Sequence, residues 1–277
     1  MKKKILINQT ITNFKKKKIT VDGDKSLSIR FVLFSSLSQG ICSATNLLCS
    51  EDVNSAINII KKLGIKIRSK DKKIEIFGNG LFGYKFKKNL VLNAGNSGTT
   101  ARLILPLLNN STDWIKITGD QSLKKRDMSR VIEPLKLFGF KFKNNNRKLP
   151  LSIRGPKILK PISYTENLGS AQCKSAIMIA ALKAKGKTKI KCLPSRNHSE
   201  LMFNNLMKIS TKVHKKNNYE FIELNGLKEI KPFKYKIPGD ISSASFFIVL
   251  TLLSKKSSLI IKDVNTNPSR IGIIKIL

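Results

Sequence analysis

Four stretches of the sequence combine glycine and serine with the start of an apolar run of helical length. They are GDKSLSIRFVLFSSL (23–37), GNSGTTARLILPLL (95–108), GSAQCKSAIMIAAL (169–182) and GDISSASFFIVLTLL (239–253). Because the first turn of a helix has unpaired N–H groups and the positive end of the helix dipole, such a start can bind an anion. Serine is also a common N-cap residue, so one stretch alone fits an ordinary helix cap equally well.

Basic, amide and hydroxyl side chains lie within the first three of these stretches. They are Lys25, Ser26 and Arg30 in the first stretch, Arg102 in the second, and Gln172 and Lys174 in the third. Ser26 and Arg30 are four residues apart and therefore share a helix face. Two basic clusters, KKRDMSR (124–130) and PSRNHSE (194–200), follow in predicted loops. Since guanidinium groups bind phosphate and carboxylate through paired hydrogen bonds, we predict an anion-binding cleft at these helix starts.

The elements that must position these residues repeat along the chain. The opening glycines lie 70 to 74 residues apart, and each helix is followed by a strand, a second helix and one or two further strands. EDVNSAINIIKKLG (51–64) is such a second helix, with apolar residues at helical spacing and Gly64 at the end. The repeat is too long for a solenoid, so we predict α/β subdomains arranged about a pseudo-symmetry axis.

The number of repeats predicts the domain organisation. Three complete repeats occupy residues 22–237, and we expect them to form one domain. Residues 1–21 and 238–277 are expected to form part of a second domain, because the fourth repeat begins at Gly239 and stops in the apolar stretch IGIIKIL.

The net charge of +36 has two interpretations. Lys+Arg total 53 against 17 Asp+Glu, and only nine of the basic residues are arginine. Such charge fits nucleic-acid binding through release of phosphate counterions. However, lysine is spread along the chain, and the runs KKK (2–4) and KKKK (15–18) lack the interleaved aromatic residues that stack on bases. We therefore expect surface lysine enrichment and no nucleic-acid partner, with a field that attracts small anions.

The remaining composition excludes several classes of protein. Four cysteines without a CxxC pair and only two histidines predict reduced, buried thiols and no zinc site. The apolar stretch in the segment MKKKILINQTI is too short for a signal peptide, and no run of 18 apolar residues occurs. We expect a cytoplasmic protein without a membrane partner.

Seven stretches in the same order resemble the enolpyruvyl transferases, and within them the 5-enolpyruvylshikimate-3-phosphate synthases. They are DGDKSLSIR (22–30), NAGNSGTTARL (93–103), TGDQSLKKRDMSRVIEPL (118–135), GSAQCKSA (169–176), LPSRNHSE (193–200), PGDISSASFF (238–247) and NPSRIG (267–272). The resemblance implies an inside-out α/β barrel built from helix-strand-helix-strand-strand subdomains, with one complete three-repeat domain and part of a second. Helix starts would face a cleft between the domains.

The resemblance also implies a reaction. Enzymes of this family transfer the enolpyruvyl group of phosphoenolpyruvate to the 5-hydroxyl of shikimate 3-phosphate and release phosphate, on the route to chorismate and the aromatic amino acids. They use no metal or organic cofactor, and we expect a monomer whose partners are these two small molecules. A non-catalytic anion-binding homologue is the alternative, although intact Lys25, Arg30, Arg126 and Gln172 favour the enzyme.

Carried over by motif, the resemblance assigns ligand contacts to particular residues. Those expected to bind shikimate 3-phosphate are Lys25, Ser26, Arg30, Ser170, Ala171, Gln172, Ser195 and Arg196. Those expected to bind phosphoenolpyruvate are Lys25, Gly98, Arg126 and Gln172, with Asn96 and Thr99 in the same loop. Asp240 lies at the domain crossover, where a hinge or site-edge role and a helix N-cap role are both open.

The sequence departs from the family pattern at two positions and in its length. Asp127 stands where the family usually has Pro, and Ala171 stands where some members have Ser. Family chains continue well past the position of Leu277, and that part carries the carboxylates assigned to proton transfer. The catalytic residues are therefore not expected among these 277, and the chain alone should bind shikimate 3-phosphate better than it catalyses.

Overall fold

A computed structural model describes residues 13–143 and 147–277 of the chain. They form two compact units, one of Met1–Asp24 with Pro238–Leu277 and the other of Lys25–Ile237. The boundary at the start of the larger unit lies three residues after the one predicted from the repeats. The KKK run lies at residues 2–4, outside the described residues. The segment MKKKILINQTI at 1–11, which was predicted not to be a signal peptide, also lies outside them.

Helices and strands follow one another in three similar series within the larger unit. After β1 (Lys17–Thr20) of the smaller unit, the first series is α1 (Lys25–Ser35), β2 (Gln39–Thr45), α2 (Glu51–Lys62), β3 (Lys66–Lys70) and β4 (Lys73–Asn79). The second is β5 (Val91–Asn93), α3 (Gly98–Leu103), β6 (Ile115–Thr118), α4 (Gln121–Lys124), α5 (Ser129–Leu137), β7 (Lys141–Lys143) and β8 (Leu151–Arg154). The third is β9 (Ser163–Glu166), α6 (Ala171–Ala181), β10 (Lys187–Cys192), α7 (His198–Asn205), β11 (Thr211–Lys216) and β12 (Tyr219–Asn225).

The chain then returns to the smaller unit. β13 (Lys234–Lys236) closes the larger unit, and α8 (Ile241–Leu253), β14 (Leu259–Lys262) and α9 (Gly272–Ile276) follow in the smaller one. The predicted order of helix, strand, helix, strand, strand is confirmed in the first and third series, and the second series adds the short helix α4.

The order and direction of the paired strands are also the same in the three series. The larger unit contains, among its described residues, sheets of order β13-β2-β4-β3, β5-β6-β8-β7 and β9-β10-β12-β11. In each sheet the first two strands are parallel and the other pairings are antiparallel. The three series are therefore copies of one supersecondary unit.

The first sheet takes its parallel strand from a distant part of the chain. β5 and β9 each precede the helix that leads to their parallel partner, whereas β2 pairs with β13, which lies near the end of the larger unit. β1, which precedes α1, pairs instead with β14 in the smaller unit. The N–H of Asp24 donates to the carbonyl oxygen of Pro238 at 2.8 Å, so the two crossing segments lie side by side.

The second helix start differs from the sequence-based expectation. The apolar run to Leu108 predicted one helix, but α3 ends at Leu103 and a 3-10 turn follows at Leu105–Leu107. Pro106 explains the break, because proline has no N–H to donate and its ring clashes with the carbonyl of the residue four positions earlier. The expectation of a continuous helix was wrong here.

Two of the repeated helices lie inside the larger unit. In α1 every residue from Leu27 to Ser35 is buried, and in α6 every residue from Cys173 to Ala181 is buried. Helices that are apolar on all sides are typical of such enclosed positions. Their first residues, by contrast, lie near the surface, which leaves the helix starts accessible to a ligand.

The cysteines agree only in part with the prediction of buried thiols. Cys42, Cys173 and Cys192 are buried and free, but Cys49 is free and exposed. It lies in the connection between β2 and α2, residues 46–50, where the chain reaches the surface.

Across the described ranges, no helix is both long and apolar enough to span a membrane.

Candidate anion-binding site

Side-chain caps fix three of the four repeated helix starts. Ser97 Oγ accepts from the N–H of Thr100 at 3.2 Å, and Ser170 Oγ accepts from the N–H of Cys173 at 3.3 Å. In the smaller unit, Asp240 Oδ1 accepts from the N–H of Ser242 at 2.8 Å. The N-cap interpretation is therefore correct at these positions. A helix start has four unpaired amide groups, so one capped amide does not exclude anion binding.

Arg30 joins the first helix start to the third repeat. Its side chain is buried, and its Nη1 donates to Ser26 Oγ, as their spacing of four residues predicted. Nε donates to Ser199 Oγ at 3.0 Å, and Nη2 donates to Ser175 Oγ at 3.0 Å. Ser199 is the second residue of α7 and Ser175 lies in α6, so one guanidinium group bridges α1, α6 and α7.

Arg102 joins the second helix start to the third. Its Nη1 donates to Gln172 Oε1 at 2.9 Å, and Gln172 Nε2 donates to Thr99 Oγ1 at 3.1 Å. Nη2 of Arg102 donates to the carbonyl oxygen of Asp127 at 2.9 Å. The predicted ligand residues Thr99 and Gln172 are therefore brought together, and the carry-over by motif had missed Arg102 as their link.

Two guanidinium groups meet above Gly98. A Cβ atom added to Gly98 would lie 2.9 Å from Arg102 Nη1 and 3.1 Å from Arg126 Nη1. Burial lowers the pKa of Arg102, and the positive charges of Arg126 and Arg130 lower it further. Like charges this close repel each other, so an anion bound here would relieve an unfavourable interaction.

A fixed carboxylate orients the amide beside Arg126. Arg126 Nη2 donates to Asn96 Oδ1 at 3.1 Å, and the amide nitrogen of Asn96 donates to Asp120 Oδ2 at 2.5 Å. Asp120 also caps α4 by accepting from the N–H of Leu123 at 2.7 Å. The bond from Leu123, followed by that from Asn96, holds the pKa of Asp120 below its usual value. Asp120 therefore stays ionised and turns the oxygen of Asn96 toward Arg126.

Lys25 lies at the start of α1 and is half exposed. Its Nζ is 2.9 Å from Asp52 Oδ2 in α2. Exposed ion pairs of this kind contribute little to stability, so the Lys25 head can exchange this partner for a ligand at small cost.

The third repeat contributes a loop and a helix start. Ser170 caps α6, its own N–H donates to Glu166 Oε2 at 3.1 Å, and Ala171 is the first residue of the helix. The hydroxyl oxygen of Ser195 is buried and makes no hydrogen bond to a described residue, and Arg196 beside it is exposed. An unsatisfied buried hydroxyl costs free energy that a ligand oxygen can recover.

Asp240 lies in the smaller unit, where it serves as the N-cap of α8. Its Oδ1 also accepts from Arg270 Nη2 at 2.9 Å. Of the two roles left open by the sequence, the N-cap is the one that these contacts show.

Lys174 does not belong to the anion site, contrary to the sequence-based hypothesis. It is fully buried, with its Nζ 2.7 Å from Glu200 Oε1 and 3.2 Å from Glu220 Oε2. Lys174 is two positions after Gln172, and positions i and i+2 point to different sides of a helix. That spacing was the signal that could have assigned Lys174 correctly.

Asp127, the residue that departs from the family pattern, acts as a local cap. Its Oδ1 accepts from the N–H of Ser129 at 2.6 Å and also from the Ser129 hydroxyl. The bond from this hydroxyl is the main cause that lowers the pKa of Asp127. The backbone carbonyl of Asp127 accepts from Arg102 Nη2, and the negative charge of the Asp127 side chain partly offsets the lowering of the Arg102 pKa. In the described part of the chain, no group of three His, Cys, Asp or Glu side chains could hold a metal ion.

The chain is similar in sequence to proteins of a known family. Residues 10–277 match the family model described as EPSP synthase (3-phosphoshikimate 1-carboxyvinyltransferase). The chain is 43% identical over 265 residues to a 3-phosphoshikimate 1-carboxyvinyltransferase of Caldicellulosiruptor saccharolyticus, covering 94% of this chain and 60% of that protein. The protein of the same name from a Thermoanaerobacter species is 43% identical over 267 residues, covering 95% and 61%.

A solved structure shows the same fold. An EPSP synthase from Acinetobacter baumannii superposes with a TM-score of 0.85 at 34% identity, covering 96% of this chain and 60% of that one. The predicted fold class and the sequence resemblance are thereby confirmed. The chain spans about 60% of the length of the relatives it matches.

Replacing the side chain of Asp127 tests whether this side chain caps the N–H of Ser129. Asp127→Ala removes the acceptor for the Ser129 N–H and should lower the free energy of unfolding by about 1 kcal/mol. Asp127→Asn keeps an acceptor and should change it by less than half as much. Anion binding should stay within about twofold in both variants, because both keep the backbone carbonyl that accepts from Arg102 Nη2. Urea unfolding and calorimetry measure the two effects, and a large loss of binding in Asp127→Ala would contradict the assignment.

Proposed function

Since the chain belongs to the EPSP synthase family, we propose that it forms all or part of an enzyme that transfers the enolpyruvyl group of phosphoenolpyruvate to the 5-hydroxyl of shikimate 3-phosphate. The reaction releases phosphate and serves chorismate and aromatic amino acid biosynthesis. The observation that carries the proposal is the meeting of three helix starts through Arg30 and the Arg102–Gln172 pair. Such a site provides fixed hydrogen-bond donors for two anionic substrates.

We assign shikimate 3-phosphate to the side of the site formed by α1, α6 and the loop before α7. Arg30 is held rigidly by three serines, so Ser26 and Arg30 present a fixed edge to the substrate ring. The buried Ser195 hydroxyl and the exposed Arg196 suit the phosphate ester, with Ser170 and Ala171 at the helix start beside them.

We assign phosphoenolpyruvate to the space above Gly98. Arg126 and Arg102 converge there, because Gly98 has no side chain and their Nη1 atoms lie only 3.1 and 2.9 Å from the position that its Cβ would take. Asn96 orients Arg126, and Gln172 lies where the two sides join, bound to Arg102 and Thr99. We assign contacts with both substrates to Lys25, at the first helix start, whose exposed ion pair with Asp52 can be exchanged for a ligand.

This arrangement supports the reaction mainly through charge. In the addition step, the 5-hydroxyl oxygen loses its proton and bonds to C2 of phosphoenolpyruvate, while the C2=C3 double bond opens and C3 gains a proton; the double bond forms again in the elimination. In the elimination step, C3 loses a proton and the C2–O bond to phosphate breaks. The guanidinium groups of Arg102 and Arg126 would stabilise the negative charge on the departing phosphate, which is the contribution that preorganised donors make to catalysis. We assign no residue of this chain to the proton transfers.

Calorimetry with shikimate 3-phosphate tests the proposed function. We expect saturable heat at one site, and Arg196→Ala should weaken binding at least about tenfold by removing a charge-assisted hydrogen bond. Arg68→Ala is the matched control, because Arg68 is exposed on β3 and lies over the ring of Phe77. Its affinity should equal that of the parent chain. No heat with the parent chain, or equal losses in the two variants, would overturn the site assignment.

Gly98→Ala tests the placement of the two ligands. The added methyl group must displace the ends of Arg102 and Arg126, so phosphoenolpyruvate should bind at least about tenfold more weakly to protein saturated with shikimate 3-phosphate. Binding of shikimate 3-phosphate itself should change by less than about twofold. Gly272→Ala, with nothing within 4 Å of the new Cβ, is the control. Equal weakening of both ligands by Gly98→Ala would refute the placement.

A further inference from the structure

The larger unit contains a buried ion cluster that the proposed reaction does not use. Lys174 in α6 lies 2.7 Å from Glu200 in α7 and 3.2 Å from Glu220 in β12, and all three side chains are nearly or fully buried. Burial lowers the pKa of Lys174, but the two carboxylates outweigh it, so the net shift is upward and the ammonium group stays charged at neutral pH. The cluster therefore joins three elements of the third repeat with full charges.

Each end of the Lys174–Glu200 pair is next in sequence to a serine that holds Arg30. Ser175 follows Lys174, and Ser199 precedes Glu200. The two serine oxygens are 2.7 Å apart, and both accept from the Arg30 guanidinium group. Any slide of α7 along α6 would separate the two serines, and Arg30 would lose one of its acceptors.

We propose that Lys174 is a positioning residue whose bonds to Glu200 and Glu220 fix α7 against α6, so that Ser175 and Ser199 hold Arg30 in the orientation that binds shikimate 3-phosphate. This inference rests on the proposed function, because it takes the ligand of Arg30 from there. The cluster would therefore affect substrate affinity through Ser175 and Ser199, which are next in sequence to Lys174 and Glu200.

Physical chemistry favours positioning over stability as the role of this cluster. Removing charges from water costs several kcal/mol per ion, so apolar residues of equal volume often stabilise a core as well or better. Apolar contacts fill space but do not fix one register, whereas the hydrogen bond from Lys174 Nζ to Glu220 Oε2 is directional and the charge of Glu200 lies 2.7 Å from the same Nζ. A charged cluster one residue from both Arg30 acceptors matches that use.

The test compares affinities for shikimate 3-phosphate by calorimetry. Lys174→Met should weaken binding at least about tenfold, and Glu200→Gln, which keeps shape and the Glu220 pair, should weaken it by about threefold. Lys189→Met is the matched control, because Lys189 also pairs with a glutamate, Glu223, but is exposed in β10. It should bind like the parent chain. If Lys174→Met does not fold by circular dichroism, Glu200→Gln decides the outcome.

A double-mutant cycle separates positioning from general loss of structure. Ser199→Ala should weaken binding by itself, and Lys174→Met should add little to it, because both changes act on Arg30. Losses that multiply in the double variant would overturn the proposal, as would unchanged affinity in both Lys174→Met and Glu200→Gln.

A measurement without ligand keeps this inference distinct from the proposed function. The Nε–Hε signal of Arg30 in a nitrogen-15 spectrum, identified by its loss in Arg30→Lys, reports the bond to Ser199. It should shift or broaden in Glu200→Gln and stay in place in Lys189→Met. An unmoved signal refutes the positioning role whatever the ligand, whereas a shifted signal without binding by the parent chain refutes only the proposed function.

Discussion

The larger unit's site depends on two guanidinium groups, each of which is hydrogen-bonded to residues of more than one repeat. Arg30 joins α1 to α6 and α7, and Arg102 joins α3 to α6 through Gln172. Three helix starts bring positive dipole ends together, which is unfavourable unless polar groups or an anion compensate. Serine and amide oxygens supply the compensation within the protein. What remains is a preorganised positive surface whose ligand must be an anion.

The need to balance these positive charges also explains how the charged side chains around the site are arranged. Gly98 keeps a space where Arg102 and Arg126 approach each other, and Asp120 orients Asn96 beside them. On the other side, Lys174 is paired completely within the core and leaves the surface to Arg30. The large excess of lysine elsewhere adds a general positive field, but the side chains that define the site are mainly arginine, amide and serine, whose hydrogen bonds have direction.

Much of the fold was predictable because local patterns determine it. Gly and Ser before apolar runs predicted the helix starts, and the repeat predicted three copies of one unit. The parallel strands β5, β9 and β13 escaped prediction because they have only three or four residues, too few to show periodicity. The pairing of β13 with β2 depends on tertiary contacts alone. Lys174 was misassigned because position in a motif was weighed above its helix face, and the Arg102–Gln172 bond joins residues 70 positions apart.

A crystal structure of the chain with shikimate 3-phosphate tests the central claim most directly. The account predicts the ring within hydrogen-bond distance of Ser26, Arg30 or Gln172, and the phosphate ester against Ser195 and Arg196. The bonds from Arg30 to Ser175 and Ser199 should be unchanged. A ligand bound elsewhere, or bound here with these bonds broken, would contradict the claim that the joined helix starts form the substrate site.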